Sequence, residues 1–318
     1  MSYLHKLLPT DLRKRKWLSV AVALALAGPL TIWGIYGIGE YGIALFIITP
    51  LLLGSASTIV FGYNRAVSYR ESRTVAFITL LIFTLALLVF AIEGVICIVM
   101  AAPLALLLTW LGSFLGHEAV AKTPTGASVI ILALTAAIPS LAFVEHDAAP
   151  QLSSVVTSLV IDASPETVWE NVVAFPELEE PTELIFKTGI AYPINATIKG
   201  TGVGAVRHCN FTTGSFVEPI TVWNRPKLLK FKVVNQPAPM KEISFWDIDA
   251  PHLHDYFVST QGQFKLTALP NGQTKLEGTT WYYHNIKPAF YWRPWSNYII
   301  HEIHKRVLTH IKVNSEKE

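Results

Sequence analysis

Between Val75 and His117 the chain runs for 43 residues with Glu93 as its only Asp, Glu, Lys or Arg. A single helix of that length would be about 65 Å long, roughly twice the hydrocarbon thickness of a bilayer. The run must therefore fold back. Glu93-Gly94 lies near its middle, and a carboxylate at the centre of a span costs about 2.5–3.5 kcal/mol, so the turn belongs there. Two spans result, over about 75–92 and 95–116. Pro103 and Thr109 in the second are tolerable inside a protected bundle.

Three further apolar runs, over about 17–38, 42–63 and 127–144, have the same character. The first is longer than the apolar core of a cleaved leader, about 7–15 residues, and reads as an uncleaved anchor. The excess of apolar residues behind a mean hydropathy of +0.40 is confined to this half. Residues 1–146 thus read as an all-α membrane bundle of about five helices, and residues 152–318 as a water-soluble domain. Positive charge sets the expected orientation. Lys6, Arg13-Lys14-Arg15-Lys16, a loop carrying Arg65, Arg70 and Arg73, and Lys122 fall on one side, whereas the connections at Glu40-Tyr41 and Glu93-Gly94 carry no Lys or Arg. This places the N-terminus in the cytoplasm, the chain in the cell (inner) membrane and, with an odd number of spans, the C-terminal domain outside. A formal net charge of +2 argues against a nucleic-acid partner, and the basic cluster beside the first span reads as a topological anchor; membrane lipids are the expected surroundings and partners of such a chain. Two cysteines, Cys97 and Cys209, supply neither a disulfide framework nor a zinc ligand set. Glu93 has no second charged residue within a span to pair with, so it reads as a turn residue rather than an ion ligand, and a transport function is disfavoured.

After the connector His146-Asp147-Ala148-Ala149-Pro150 the periodicity changes. Val155 to Ile161 is β-branched, and Ala163-Ser164-Pro165-Glu166 signals a helix start with Ser164 as its cap. Phe175-Pro176-Glu177-Leu178 suggests a second short helix or turn. Strand candidates follow at 190–198, 204–211, 216–223, 228–234, 256–269 and 274–284. Turn residues separate them, Asn271-Gly272 being the strongest hairpin signal. A closing amphipathic helix spans Trp295 to Val313, with Ile299, Ile300, Ile303, Val307 and Ile311 on one stripe.

That order, with Val160-Ile161-Asp162-Ala163-Ser164-Pro165-Glu166-Thr167-Val168-Trp169 and the later Gly202-Val203-Gly204-Ala205-Val206-Arg207, resembles the START-like helix-grip superfamily in its polyketide cyclase/dehydrase (SRPBCC) branch, over about residues 152–316. The resemblance implies an α+β domain in which a curved antiparallel sheet grips the long C-terminal helix around an apolar cavity. It implies binding of a hydrophobic small molecule, a lipid, isoprenoid or polyketide-like compound, with a cyclase or dehydratase as the alternative. It carries no universal catalytic residue and implies no cofactor.

Aromatic residues are concentrated in this half, and Trp223, Tyr256, Trp281, Tyr283 and Trp295, with His301, are the candidates for lining such a cavity. Each is also a reasonable core residue, and Trp292 and Trp295 suit a headgroup layer as well. For acid–base chemistry the titratable candidates are His208, Glu218, Tyr283 and His301. Asp247, Asp249, His252 and His254 have the composition of a divalent-metal site but not the spacing of any established motif. His301-Glu302-Ile303-His304 falls one residue short of the zincin spacing. His301 is expected at the grip interface, with His304 near its border. No phosphate loop or Ser/His/Asp order is present, and Gly200-Thr201-Gly202-Val203-Gly204 reads as a turn between strands.

Overall fold

A computed structural model describes residues 8–39, 41–122, 124–145 and 150–317. Lys6, Glu40 and the connector residues His146 to Ala149 lie outside the described residues. The chain divides into a helical unit, Met1–Ala149 with Ser244–Pro251 and Ile286–Pro288, and a sheet-containing unit formed by Pro150–Ile243, His252–Asn285 and Ala289–Glu318.

Among the described residues, five helices of the first unit are long and apolar enough to cross a membrane: α1 (Leu12–Ile38, its last turns widened to π geometry), α2 (Ala44–Gly62), α3 (Tyr69–Val89), α4 (Val95–Lys122) and α5 (Pro124–Glu145). The long apolar run does fold back, through a turn over Phe90–Gly94 that contains a buried Glu93. The loop expected after α2 is shorter than the charge pattern suggested. Ser68 caps α3 by accepting from the Glu71 amide, while the Glu71 carboxylate accepts from the Ser68 amide at 2.9 Å. This reciprocal box starts the helix early and puts Arg70 and Arg73 on its first turns.

Helix α2 is the centre of the unit, with 67% of its apolar window buried against 33% or less in the other four. Its sequence explains why. Gly54, Ser55 and Ser57 leave little beyond backbone on its surface, and α4 answers with Thr109, Gly112, Ser113 and Gly116. A Cβ on Gly54 would run into the Thr109 carbonyl, and one on Gly112 into the Leu51 carbonyl. Small residues thus let the two backbones touch. Two buried hydroxyls on this seam bond to backbone carbonyls, Ser57 Oγ donating to that of Leu53 at 2.6 Å and Thr109 Oγ1 to that of Pro50 across the helices at 3.3 Å. Within the basic cluster, Arg15 behaves differently from its neighbours. It is buried, and its guanidinium donates to the carbonyls of Val60 and Tyr63 at the end of α2. Helix ends leave carbonyls unpaired, and a cation there meets both the hydrogen-bonding and the dipole requirement.

The second unit is a seven-stranded antiparallel sheet, β1 (Ser153–Ile161), β2 (Pro193–Lys199), β3 (Val206–Phe211), β4 (Gly214–Asn224), β5 (Leu228–Lys232), β6 (Phe257–Ala268) and β7 (Thr274–His284), in the order β1-β7-β6-β5-β4-β3-β2. Register shifts at 193/195, 220/222 and 259/261 bend it, as bulges do. The β6–β7 turn uses Asn271-Gly272 as the sequence predicts, Gly272 taking the left-handed conformation at φ 83°. Helix α6 (Pro165–Val173) starts at Ser164, whose hydroxyl accepts from the Thr167 amide. The segment Phe175–Leu178, expected as a helix or turn, is extended. Phe175 precedes Pro176 and is pushed out of helical space, so it exchanges backbone bonds with Ala196 of β2 at 3.0 and 3.1 Å.

The closing helix α7 (Ala289–Ser315) begins six residues earlier than the apolar stripe predicts and buries Ile300, Val307, Leu308 and Ile311. A curved antiparallel sheet with this helix packed on it is the helix-grip arrangement. Its main core joins Val168, Trp169 and Val172 of α6 to Leu229, Phe231, Phe264, Leu266 and Leu276 of the sheet and to Val307, Leu308 and Ile311 of α7. A separate, smaller cluster joins Val155, Tyr282 and Ile300, with Phe257 against it.

Candidate functional site

Strand alternation decides which side chains can reach the interior. In β7, Thr280 and Tyr282 meet α7, since Thr280 Oγ1 lies 2.7 Å from His304 Nε2 and the Tyr282 hydroxyl donates to Asn297 Oδ1 at 2.6 Å. Trp281 and Tyr283 consequently turn away from α7, and Trp281 instead lies under the Lys230 ammonium at 5.0 Å. In β3, Arg207 and Cys209 are buried and His208 between them points to the other face. Three sequence candidates, His208, Trp281 and Tyr283, therefore lie outside the sheet–helix interior. Their strands were correctly placed, but a period of two fixes the face only once one residue is anchored.

Glu218 does face inward, and its partner is Arg207 directly opposite on β3. The two form an ion pair, with Arg207 only 1% exposed. The guanidinium also donates from Nε to the Val173 carbonyl at 3.2 Å and is surrounded by the rings of Phe175, Phe231 and Phe264 at 5.5–5.6 Å. Burial alone would lower the affinity of Arg207 for its proton, but Glu218 and Cys209 together outweigh it and keep the guanidinium charged. Burial pushes the neighbouring Cys209 thiol up to about 12, with Arg207 opposing and Glu218 adding to the shift. So enclosed a pair suits a structural role in the core better than the acid–base role that Glu218 alone suggests.

Between the two apolar clusters lies a polar layer. Thr157 Oγ1 of β1 is 2.8 Å from His301 Nδ1 and 3.1 Å from His304 Nδ1, while Thr280 holds the other nitrogen of His304. A neutral imidazole has one N–H, so His304 donates to one threonine and accepts from the other. Burial drives its pKa down to about 4, with the nearby His301 adding to the effect. Both histidines thus meet the sheet at Thr157, His301 as an exposed residue and His304 as a half-buried one. His304 follows Ile300 by four residues and precedes Leu308 by four, which sets it on the buried stripe.

Of the remaining candidates, Trp223 sits on the core face with its ring edge-on to Trp169 at 5.7 Å. Tyr256 and Trp295 are half-buried, just ahead of β6 and on the second turn of α7. The metal candidates do not share an environment: Asp247, Asp249 and His254 are exposed, whereas His252 is buried with Nε2 3.4 Å from the Glu242 carboxylate. Sequence reading missed Thr157, Thr280 and Asn297, which carry no motif and become visible only when β1, β7 and α7 are in register.

No family model matches the chain, and neither does any curated protein. Solved structures match its C-terminal half. A protein from Nitrosospira multiformis aligns at 16% identity over 51% of this chain and 94% of that one, with a TM-score of 0.33. Truncated norcoclaurine synthase from Thalictrum flavum aligns at 14% identity over 52% and 94%, with a TM-score of 0.33. The synthase from Thalictrum flavum in complex with dopamine and hydroxybenzaldehyde gives 14%, 51%, 86% and 0.33 in the same order. Scores this low support no residue-by-residue correspondence.

Proposed function

We propose that this chain is a membrane-anchored member of the START-like helix-grip superfamily, in its SRPBCC branch, and that it accommodates a hydrophobic molecule between the sheet and α7. The observation that carries this reading is the layering of that interface. The main core stops at Thr157, Thr280, His301 and His304, and a second apolar cluster of Val155, Tyr282 and Ile300 begins beyond them. Apolar walls with a few placed polar groups are what small-molecule sites share. A lipid, isoprenoid or polyketide-like compound would lie along Val155, Phe257 and Ile300, with its polar end at His301. In this reading the five apolar helices cross the cell membrane with the N-terminus in the cytoplasm and the sheet unit outside. An active alkaline phosphatase fused to the C-terminus would support that side, and a fluorescent cytoplasmic-type fusion there would overturn it.

Native mass spectrometry of the full chain, extracted in mild detergent, tests the binding. A bound apolar mass that is lost on Ile300→Trp, whose larger side chain would occupy the proposed ligand position, is the expected result. A chain that carries no such mass from membranes and takes up none from a total lipid extract would end the proposal. The chain Thr280–His304–Thr157–His301 also favours a second reading, an enzyme of cyclase or dehydratase type with His301 as its exposed acid–base group. In that case untargeted metabolite profiling would show one compound consumed and one formed by the wild-type chain but not by His301→Ala.

A further inference from the structure

In the helical unit a groove opens between the first turns of α1 and α3, lined by Leu12, Arg13, Lys16, Phe61, Arg70, Glu71, Thr74 and Val75. Its chemistry is divided. The floor is apolar, Phe61 and Val75 both being buried, and the rim carries three cations. Arg13 and Lys16 stand one helical turn apart and so share a face of α1. The one carboxylate on the rim, Glu71, is already held by the amide and hydroxyl of Ser68 at 2.9 and 2.7 Å. Lys16 keeps its ammonium 5.8 Å above the ring of Trp17.

The level of the groove is informative. Lys16 immediately precedes the apolar stretch of α1, and Arg70 lies little more than one turn before Val75, where that of α3 begins. The cations of two helices therefore stand in one layer, at the boundary where the apolar parts of both start. A ligand that suits this groove has an anionic head for the rim and an apolar body for Phe61 and Val75.

We propose that the groove is a binding site for the phosphate headgroup of an anionic phospholipid. The site rests on the reading of α1–α5 as membrane spans. Its occupant differs from the ligand of the sheet unit: among the described residues the sheet–helix interface holds no comparable cluster of cations, whereas here charge complementarity selects the headgroup.

The test uses the full chain in detergent, with phosphatidylglycerol or phosphatidylcholine as the probe and native mass spectrometry as the readout. Phosphatidylglycerol should be retained over phosphatidylcholine. The triple variant Arg13→Gln, Lys16→Gln, Arg70→Gln should bind phosphatidylglycerol about 100-fold more weakly, at about a factor of five per cation. Unchanged retention by that variant would overturn the site. So would an equal loss in a control carrying Lys199→Gln, Lys227→Gln and Lys241→Gln, because the effect would then be diffuse charge. Inorganic phosphate that raises the melting temperature as much as the lipid does would assign the groove to a free anion instead. Release of the wild-type chain from membranes by alkaline carbonate would overturn the anchor together with the site, whereas firm membrane retention without lipid preference overturns the site alone.

Discussion

Arg207 of β3 and Glu218 of β4 are cross-strand partners whose side chains close an ion pair inside a ring of phenylalanines. Taking two charges out of water is costly, and their attraction offsets that cost only while both are present. Glu218→Gln should therefore destabilise the sheet unit by about 3–5 kcal/mol, since it leaves a buried guanidinium without its counter-charge. Arg207→Met combined with Glu218→Leu should recover most of the loss. Thermal unfolding of the full-length variants in detergent, followed by near-ultraviolet circular dichroism, measures both.

Cys209 shares that environment, and its thiol is held far from the reactive thiolate form by burial. It should resist maleimide in the native chain at pH 8 and react promptly in denaturant. Peptide mapping of the labelled chain checks this, and prompt labelling of native Cys209 would contradict the enclosed core.

His304 makes stability depend on pH. Its folded pKa of about 4 lies below the ordinary 6.5, so the unfolded chain binds a proton that the folded chain refuses. Stability from this residue is complete above pH 6.5 and declines as the pH falls from 6.5 toward 4, by about 2 kcal/mol at pH 5. The loss between pH 7 and pH 5 should be smaller in His304→Gln, as read from unfolding midpoints at the two pH values. A His304→Gln profile parallel to wild type would rule the assignment out.

Gly112 of α4 rests on the backbone of α2, and Gly112→Ala has no flexible side chain to displace. The helices must separate, at a cost of about 1–3 kcal/mol. Gly34, half-buried but with open space around its Cβ position, provides the control: Gly34→Ala should be neutral or slightly stabilising. Thermal inactivation of the two variants in the same detergent gives the comparison.

What was legible in the sequence and what was not divide along physical lines. The fold-back near Glu93 followed from length against bilayer thickness, and the Ser164 and Asn271-Gly272 signals followed from local backbone chemistry. All three are properties of a few adjacent residues. The faces of His208, Trp281 and Tyr283 were not legible, because they depend on partners across the sheet and on bulges that shift the register. Arg207 shows the same limit from the other side. An arginine in a strand reads as solvent-facing until Glu218 and three phenyl rings are seen to enclose it. Arg15, in a run of four basic residues, was indistinguishable from its neighbours until the end of α2 was placed beside it.

That last contact bears on how the chain is made. Synthesis proceeds from the N-terminus, and the Val60 carbonyl that receives Arg15 lies 45 residues downstream. Nascent α1 therefore leaves the ribosome with a cation that has no protein acceptor, and it must wait at the water-exposed edge until α2 is complete. Only then can the guanidinium turn inward and lock the two helices together. Arg15 is a free charge early in biogenesis and a latch late in it, so its loss should slow assembly of the helix pair more than it alters where α1 begins.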